Sequence, residues 1–190
     1  MEEEHKNEPP TSTAPKTATL PNGVHVTQKA IKNWRKLAEK PGNKAKQLEA
    51  AASLLMCYRH GICVDIDEKE AHKYEKKAAM LGHAICQYNL SVNYAQGIGV
   101  DKNLEIAAMW CSKAAAQGLA EAQYNLSKFY EDGIGVEKNL EIAAMWCGKA
   151  AAQGYALAQF NLSNYYRDGT GVEKNLETCA MWCGKAAAQG

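Results

Sequence analysis

The segment from Gly133 to Gly154, GIGVEKNLEIAAMWCGKAAAQG, recurs almost unchanged as residues 97–118 and 169–190. The period is 36 residues, and Gly82, Gly118, Gly154 and Gly190 mark its boundaries. Residues 82–117 and 118–153 agree at 27 of 36 positions, and 118–153 and 154–189 agree at 27 again. A fixed period of this length dictates an array of supersecondary units, each covering its neighbour's apolar face, rather than one round core. A fainter copy occupies 46–81, where Gly61, Val64, Ala71, Tyr74, Lys77, Ala78 and Ala79 match Gly97, Val100, Ala107, Trp110, Lys113, Ala114 and Ala115. This copy has Cys63 where the others have glycine, and Tyr74 in place of tryptophan.

Each unit reads as two helices. Leu119, Ala122, Leu126, Phe129 and Tyr130 fall on one face at a period of 3.6, which predicts a first helix, A. Gly133 and Gly135 break it, since glycine tolerates positive φ. Asn139 suits the N-cap of a second helix, B, which is expected to bury Leu140, Ala143, Trp146, Cys147, Ala150 and Ala151. Gly154 stops it, as Gly97 and Gly169 stop the A helices of the neighbouring copies. Alanines let the helices approach closely, and one tryptophan per unit (Trp110, Trp146, Trp182) fills the space left over.

Ahead of the array, residues 1–25 hold four of the five prolines and few large apolar side chains, so they are expected to form a disordered leader. Residues 26–45 are expected to form an N-terminal capping helix, a half-repeat with Ile31, Trp34, Leu37 and Ala38 on one face. Its spacing to the next copy is 40 rather than 36, which predicts an extra helical turn near Asn43–Lys46. The repeats are then 46–81, 82–117, 118–153 and 154–189, with Gly190 as the start of a fifth. A solenoid needs a polar cap at its end, so the array is expected to continue past Gly190.

The charge balance excludes several functions. Lys+Arg number 22 against Asp+Glu 21, without the basic footprint of a nucleic-acid binder. No apolar run is long enough to span a bilayer, and the start, MEEEHKNEPP, does not read as a secretory signal. A cytoplasmic location is expected, compatible with delivery into a host cell. Cys111, Cys147 and Cys183 recur once per unit. Packed helices lie about 8–10 Å apart, whereas a disulfide needs Cα atoms within about 7 Å. A ladder of separate thiols is expected. His5, His25, His60, His72 and His83 do not cluster at ligand spacing, and no cofactor is expected.

The spacing Ala122-x-x-x-Leu126, Tyr130, Gly133-x-Gly135-Val136, Ala143-x-x-Trp146, Lys149-Ala150-Ala151, Gly154 closely resembles the Sel-one-like repeat, a relative of the tetratricopeptide repeat. The resemblance covers residues 46–189. It implies an all-α fold: a right-handed α/α superhelix of helix-turn-helix repeats with an open concave groove, presented to other proteins. Where that family often has glycine after the helix-A leucine, this chain has Ser91, Ser127 and Ser163, so a slightly wider contact is expected there. A cysteine-rich, secreted branch of the family carries a disulfide in each repeat and an activity towards β-lactams. Its cysteine pair falls on Ala151 and Gln159, which are not cysteines, so neither property is carried over.

No nucleophile–base motif, P-loop or H-E-x-x-H is present, and a non-enzymatic chain is expected. Asn89, Asn125 and Asn161 fit the glycosylation sequon but fall inside a predicted helix. The copies differ mainly in helix A: seven of nine changes between the second and third, and six of nine between the third and fourth. A helical wheel places Glu121, Tyr124, Lys128 and Glu131 away from the core face. Their counterparts are Ile85, Tyr88, Val92 and Ala95, then Leu157, Phe160, Asn164 and Arg167. Tyr88, Val92, Tyr124, Lys128, Phe160, Asn164 and Arg167 are the candidate partner-binding residues of the groove. Aromatic anchors at such a face suit a peptide or a partner helix, although packing against the neighbouring helix would use the same rings. Met109, Met145 and Met181 form a second ladder, on the outer side of helix B. The expected function is a monomeric adaptor for a protein partner. The alternatives are a repeat region serving a functional domain elsewhere in a longer protein and, further off, a hydrolase.

Overall fold

The computed structural model describes residues 14–189. Among them the order is β1 (Thr17–Thr19), β2 (His25–Thr27), α1 (Gln28–Glu39), α2 (Lys44–His60), α3 (Glu68–Leu81), α4 (Ala84–Gln96), α5 (Leu104–Ala116), α6 (Ala120–Asp132), α7 (Leu140–Ala152), α8 (Ala156–Asp168) and α9 (Leu176–Ala187). The helices form consecutive helix-turn-helix repeats, an α/α solenoid fold. The chain divides into two compact units, one ending at Leu81 and the other beginning at Gly82.

In the first unit the disordered leader is corrected. Residues 1–13 lie outside the described residues, but β1 and β2 pair antiparallel, with Ala18 opposite Val26. Leu20 and Val26 are buried, and the turn between the strands closes through Gly23 N–H to the Leu20 carbonyl at 2.9 Å. Composition hid this hairpin: Leu20, Val24 and Val26 are few, but they flank the turn-forming Pro21-Asn22-Gly23. Val26 therefore belongs to a strand and not to the first helix, which begins after the Thr27 cap. Of the face predicted for α1, Ile31 and Ala38 are buried and Trp34 half-buried, whereas Leu37 is exposed. α2 spans 17 residues against 13 for α4, one turn more, as the longer spacing requires. It packs against α1 on one side and α3 on the other.

The second unit repeats one design three times. Asn103, Asn139 and Asn175 cap the B helices α5, α7 and α9, accepting the amides of Ile106, Ile142 and Thr178 at 2.8–2.9 Å. Each A helix ends on a glycine in the left-handed conformation, Gly97, Gly133 and Gly169. A second glycine permits a backbone approach: a Cβ at Gly135 would lie 2.1 Å from the Leu104 carbonyl oxygen, and one at Gly171 2.0 Å from that of Leu140. Each core layer joins the B helix of one repeat to the A helix of the next. Cys111, Ala114 and Ala115 of α5 meet Ala122 and Leu126 of α6, with Trp146 closing the edge. Ala144, Cys147, Ala150 and Ala151 meet Ala158, Leu162 and Tyr165 in the following layer, edged by Trp182. The apolar flank of each B helix is thus shielded by its neighbour, and this stabilises helices too short to persist alone. Lys113, Lys149 and Lys185 lie 4.0–4.3 Å from the ring centres of Trp110, Trp146 and Trp182 on the same helices. Met109, Met145 and Met181 are exposed.

Candidate partner-binding face

The A helices α4, α6 and α8 hold all seven candidate groove residues. Repeat geometry places Tyr88 and Tyr124 against the next A helix, so each is only half-buried. The Asn125 amide donates to the Tyr88 hydroxyl at 2.7 Å, and the Asn161 amide to the Tyr124 hydroxyl at 3.1 Å. Two of the sequon asparagines thus act as rungs between successive A helices. The Tyr124 ring also meets Tyr155, the residue capping α8, with centroids 5.4 Å apart and planes tilted by 50°. Phe160 lacks the hydroxyl and is 52% exposed. Packing and an accessible aromatic edge therefore coexist on one face.

The charged candidates divide. Lys128 pairs with Glu131 at 2.5 Å, and the same Glu131 oxygen accepts the Tyr165 hydroxyl at 2.7 Å. Burial pushes the Glu131 carboxyl upward, but the bonds from Lys128 and Tyr165 outweigh it and hold the group below its ordinary value. Arg167 instead lies along Asp168, with two bonds of 2.9 Å, exposed to water. Val92 and Asn164 are half-buried. On the same helices Ile85 (55%) and Leu157 (56%) are exposed apolar side chains, one turn before Tyr88 and Phe160.

A network the sequence reading missed ties the repeats together. Buried Gln123 donates to the Ala115 carbonyl at 3.1 Å and accepts from Gln153 at 2.8 Å, and Gln153 also donates to the Gly118 carbonyl at 2.8 Å. Gln159 repeats the pattern with Ala151 and Gln189. The signal was present: Gln87, Gln123 and Gln159, like Gln117, Gln153 and Gln189, never change between copies. The serines after the helix-A leucine turn back on their own helix: Ser127 donates to the Tyr124 carbonyl and Ser163 to that of Phe160, both at 2.7 Å.

All seven cysteines are free thiols. Cys111 and Cys147 donate to the Ala122 and Ala158 carbonyls at 3.2 and 3.3 Å. Burial pushes both up to about 12, against an opposing pull from Ser91 and Ser127. These are packed, inert sulfurs rather than nucleophiles. Among the described residues no group of three or more His, Cys, Asp or Glu could hold a metal ion, and no helix is long and apolar enough to cross a membrane.

The sequence matches the Sel1 repeat profile over residues 47–83, 84–119, 120–155 and 156–190. The chain belongs to the Sel1 repeat family. The matched segments begin one or two residues after the divisions at 46, 82, 118 and 154. A Sel1 repeat protein from Oxalobacter formigenes superposes with a TM-score of 0.70 at 32% identity, covering 86% of this chain and 46% of its own. A protective antigen present in uropathogenic Escherichia coli strains, displaying an SLR fold, gives 0.68 at 31% identity, covering 84% of this chain and 33% of its own. Helicobacter pylori cysteine rich protein B gives 0.51 at 26% identity, over 66% of this chain and 90% of its own. The Sel1 chain described here therefore spans less than half the length of the first two. No curated protein matches it significantly in sequence. Where the cysteine-rich branch would place a disulfide, Gln159 donates to the Ala151 carbonyl at 3.2 Å. Sel1 repeats are generally protein-interaction modules, and their fold is generally a non-catalytic scaffold.

Proposed function

We propose that the chain is a non-catalytic adaptor that binds a peptide or partner helix along the groove formed by its A helices in the second unit. The observation that carries this reading is the run of exposed apolar side chains on that face: Ile85, Leu157 and Phe160 are each more than half exposed. Such surface is costly to leave in water and is a common mark of an interaction site. The B helices, which change at few positions, support the same division of labour, since the copies differ mainly where a partner would lie.

A second reading rests on length. Because the chain spans only part of its structural relatives, the repeats serve on this reading as the docking region of a longer protein whose activity lies elsewhere. Both readings require the same face. A triple variant, Ile85→Ser, Leu157→Ser and Phe160→Ser, is expected to keep its helical circular dichroism and lose at least tenfold in affinity for a captured partner. Met109→Ser with Met145→Ser, on the B helices, is expected to lose nothing. Equal capture by wild type and triple variant would refute the groove.

A further inference from the structure

Between the apolar side chains of the A-helix face stands an acidic one. Glu121 occupies in α6 the place that Ile85 holds in α4 and Leu157 in α8. It is exposed and takes part in none of the ion pairs among the described residues. Tyr124, three residues further on, is its neighbour on the helix surface. Tyr124 in turn carries the tilted Tyr155 ring at 5.4 Å, and Tyr88 is bound to the same helix through Asn125. The Glu121 charge reaches two of these phenols: it adds to the burial that pushes Tyr88 and Tyr155 upward. One carboxylate and three aromatic rings thus converge at the middle repeat.

Among the described residues, the A helices offer this cluster no unpaired cation. α4, α6 and α8 contain four carboxylates (Glu121, Glu131, Asp132, Asp168) and two cations, Lys128 and Arg167. Both cations are already paired, with Glu131 and Asp168. A partner that brings a basic group would complement the face, and a planar guanidinium both stacks on aromatic rings and pairs with a carboxylate. Packed helices lie about 8–10 Å apart, and a segment in the polyproline II conformation advances about 3.1 Å per residue and turns once every three residues. Side chains three residues apart in such a segment point the same way about 9 Å on, a step that matches successive A helices. We propose that Glu121, with Tyr88, Tyr124 and Tyr155, receives an arginine side chain of the bound segment, with an apolar residue three positions to either side resting against Ile85 and Leu157. This proposal rests on the groove reading above and names its ligand.

The test uses the full chain and the labelled peptide Ac-Leu-Ser-Ser-Arg-Ser-Ser-Leu-NH2, read by fluorescence anisotropy. Saturable binding is expected. Replacing arginine by citrulline, which keeps the shape and loses the charge, is expected to weaken binding at least tenfold, and so is Glu121→Gln, an exposed and nearly isosteric change. Raising the salt to 1 M is expected to weaken it further. Absence of saturation with the arginine peptide, or equal affinity of the citrulline peptide or of the Glu121→Gln variant, would overturn the proposal. The two readings fail separately. A partner lost by the triple serine variant but kept by Glu121→Gln leaves the groove standing and removes the arginine. Arginine-dependent peptide binding with an unaffected partner does the reverse.

Discussion

The two units build the same helix pair from different chemistry. The second is neutral inside: its buried polar side chains are glutamines and serines, joined to one another and to carbonyls. The first encloses a charge, since Glu75 is 2% exposed and pairs with Arg59 at 3.1 Å and His72 at 3.4 Å. Where the second unit uses a tryptophan under a lysine, the first stacks Tyr58 on Tyr74 at 5.8 Å and lays Arg35 over Tyr58. At the turn, glycine gives way to Cys63, which holds φ at 57° and donates its thiol to the Val26 carbonyl at 3.5 Å. At this turn the first unit thus holds a side chain, whereas at Gly135 and Gly171 the preceding B helix presses its backbone into the turn. Regularity in the second unit is a demand of stacking identical neighbours.

The largest effect should come from exchanging the turns. Gly135→Cys imports the residue of the first unit into a place where a Cβ meets the Leu104 carbonyl at 2.1 Å. A loss of about 3 kcal/mol in urea denaturation is expected from the clash and the strained φ together, whereas Cys63→Gly should cost far less. Next, Arg59→Ala removes the guanidinium from buried Glu75. Because Arg59 is 31% exposed, the cost is expected at about 2 kcal/mol, below that of a fully enclosed pair. In the neutral unit, Gln123→Leu removes one of the two bonds to the Ala115 carbonyl, which keeps the Gly118 amide at 3.0 Å, and one acceptor of Gln153, and about 1–2 kcal/mol is expected.

The smallest effect concerns His83, whose Nδ1 accepts the Cys86 amide at 3.3 Å as the cap of α4. Burial holds its pKa below the ordinary histidine value, so the folded chain prefers the neutral, accepting ring. Its stabilisation is fully present above pH 6.5 and is lost as pH falls through the depressed folded value. Thermal unfolding should show wild type losing about 1 kcal/mol over that window, and His83→Asn, which keeps an acceptor, losing none.

Much of this was legible in the sequence. The period follows from comparing the chain with itself, and the asparagine caps, the glycine stops and the buried stripe of α7 follow from local pattern, because each depends on neighbours within about four residues. The hairpin at 17–27 was not, because a few apolar residues in a proline-rich stretch carry little weight until a partner surface buries them. The candidate face was half legible. A helical wheel locates Tyr88 and Tyr124, but it cannot show that Asn125 and Asn161 reach across from the next repeat. Those bonds join residues 37 apart, beyond any local periodicity. The asparagine, unchanged as Asn89, Asn125 and Asn161, was the available clue.

The central claim is that the A-helix face of the second unit, and not its B-helix face, meets the partner. A photo-crosslinking amino acid placed at Leu157, and separately at Met145, samples the two faces with exposed side chains of similar accessibility. Cross-linked partner from position 157 and none from 145 is the predicted result. Cross-links confined to 145 would contradict it.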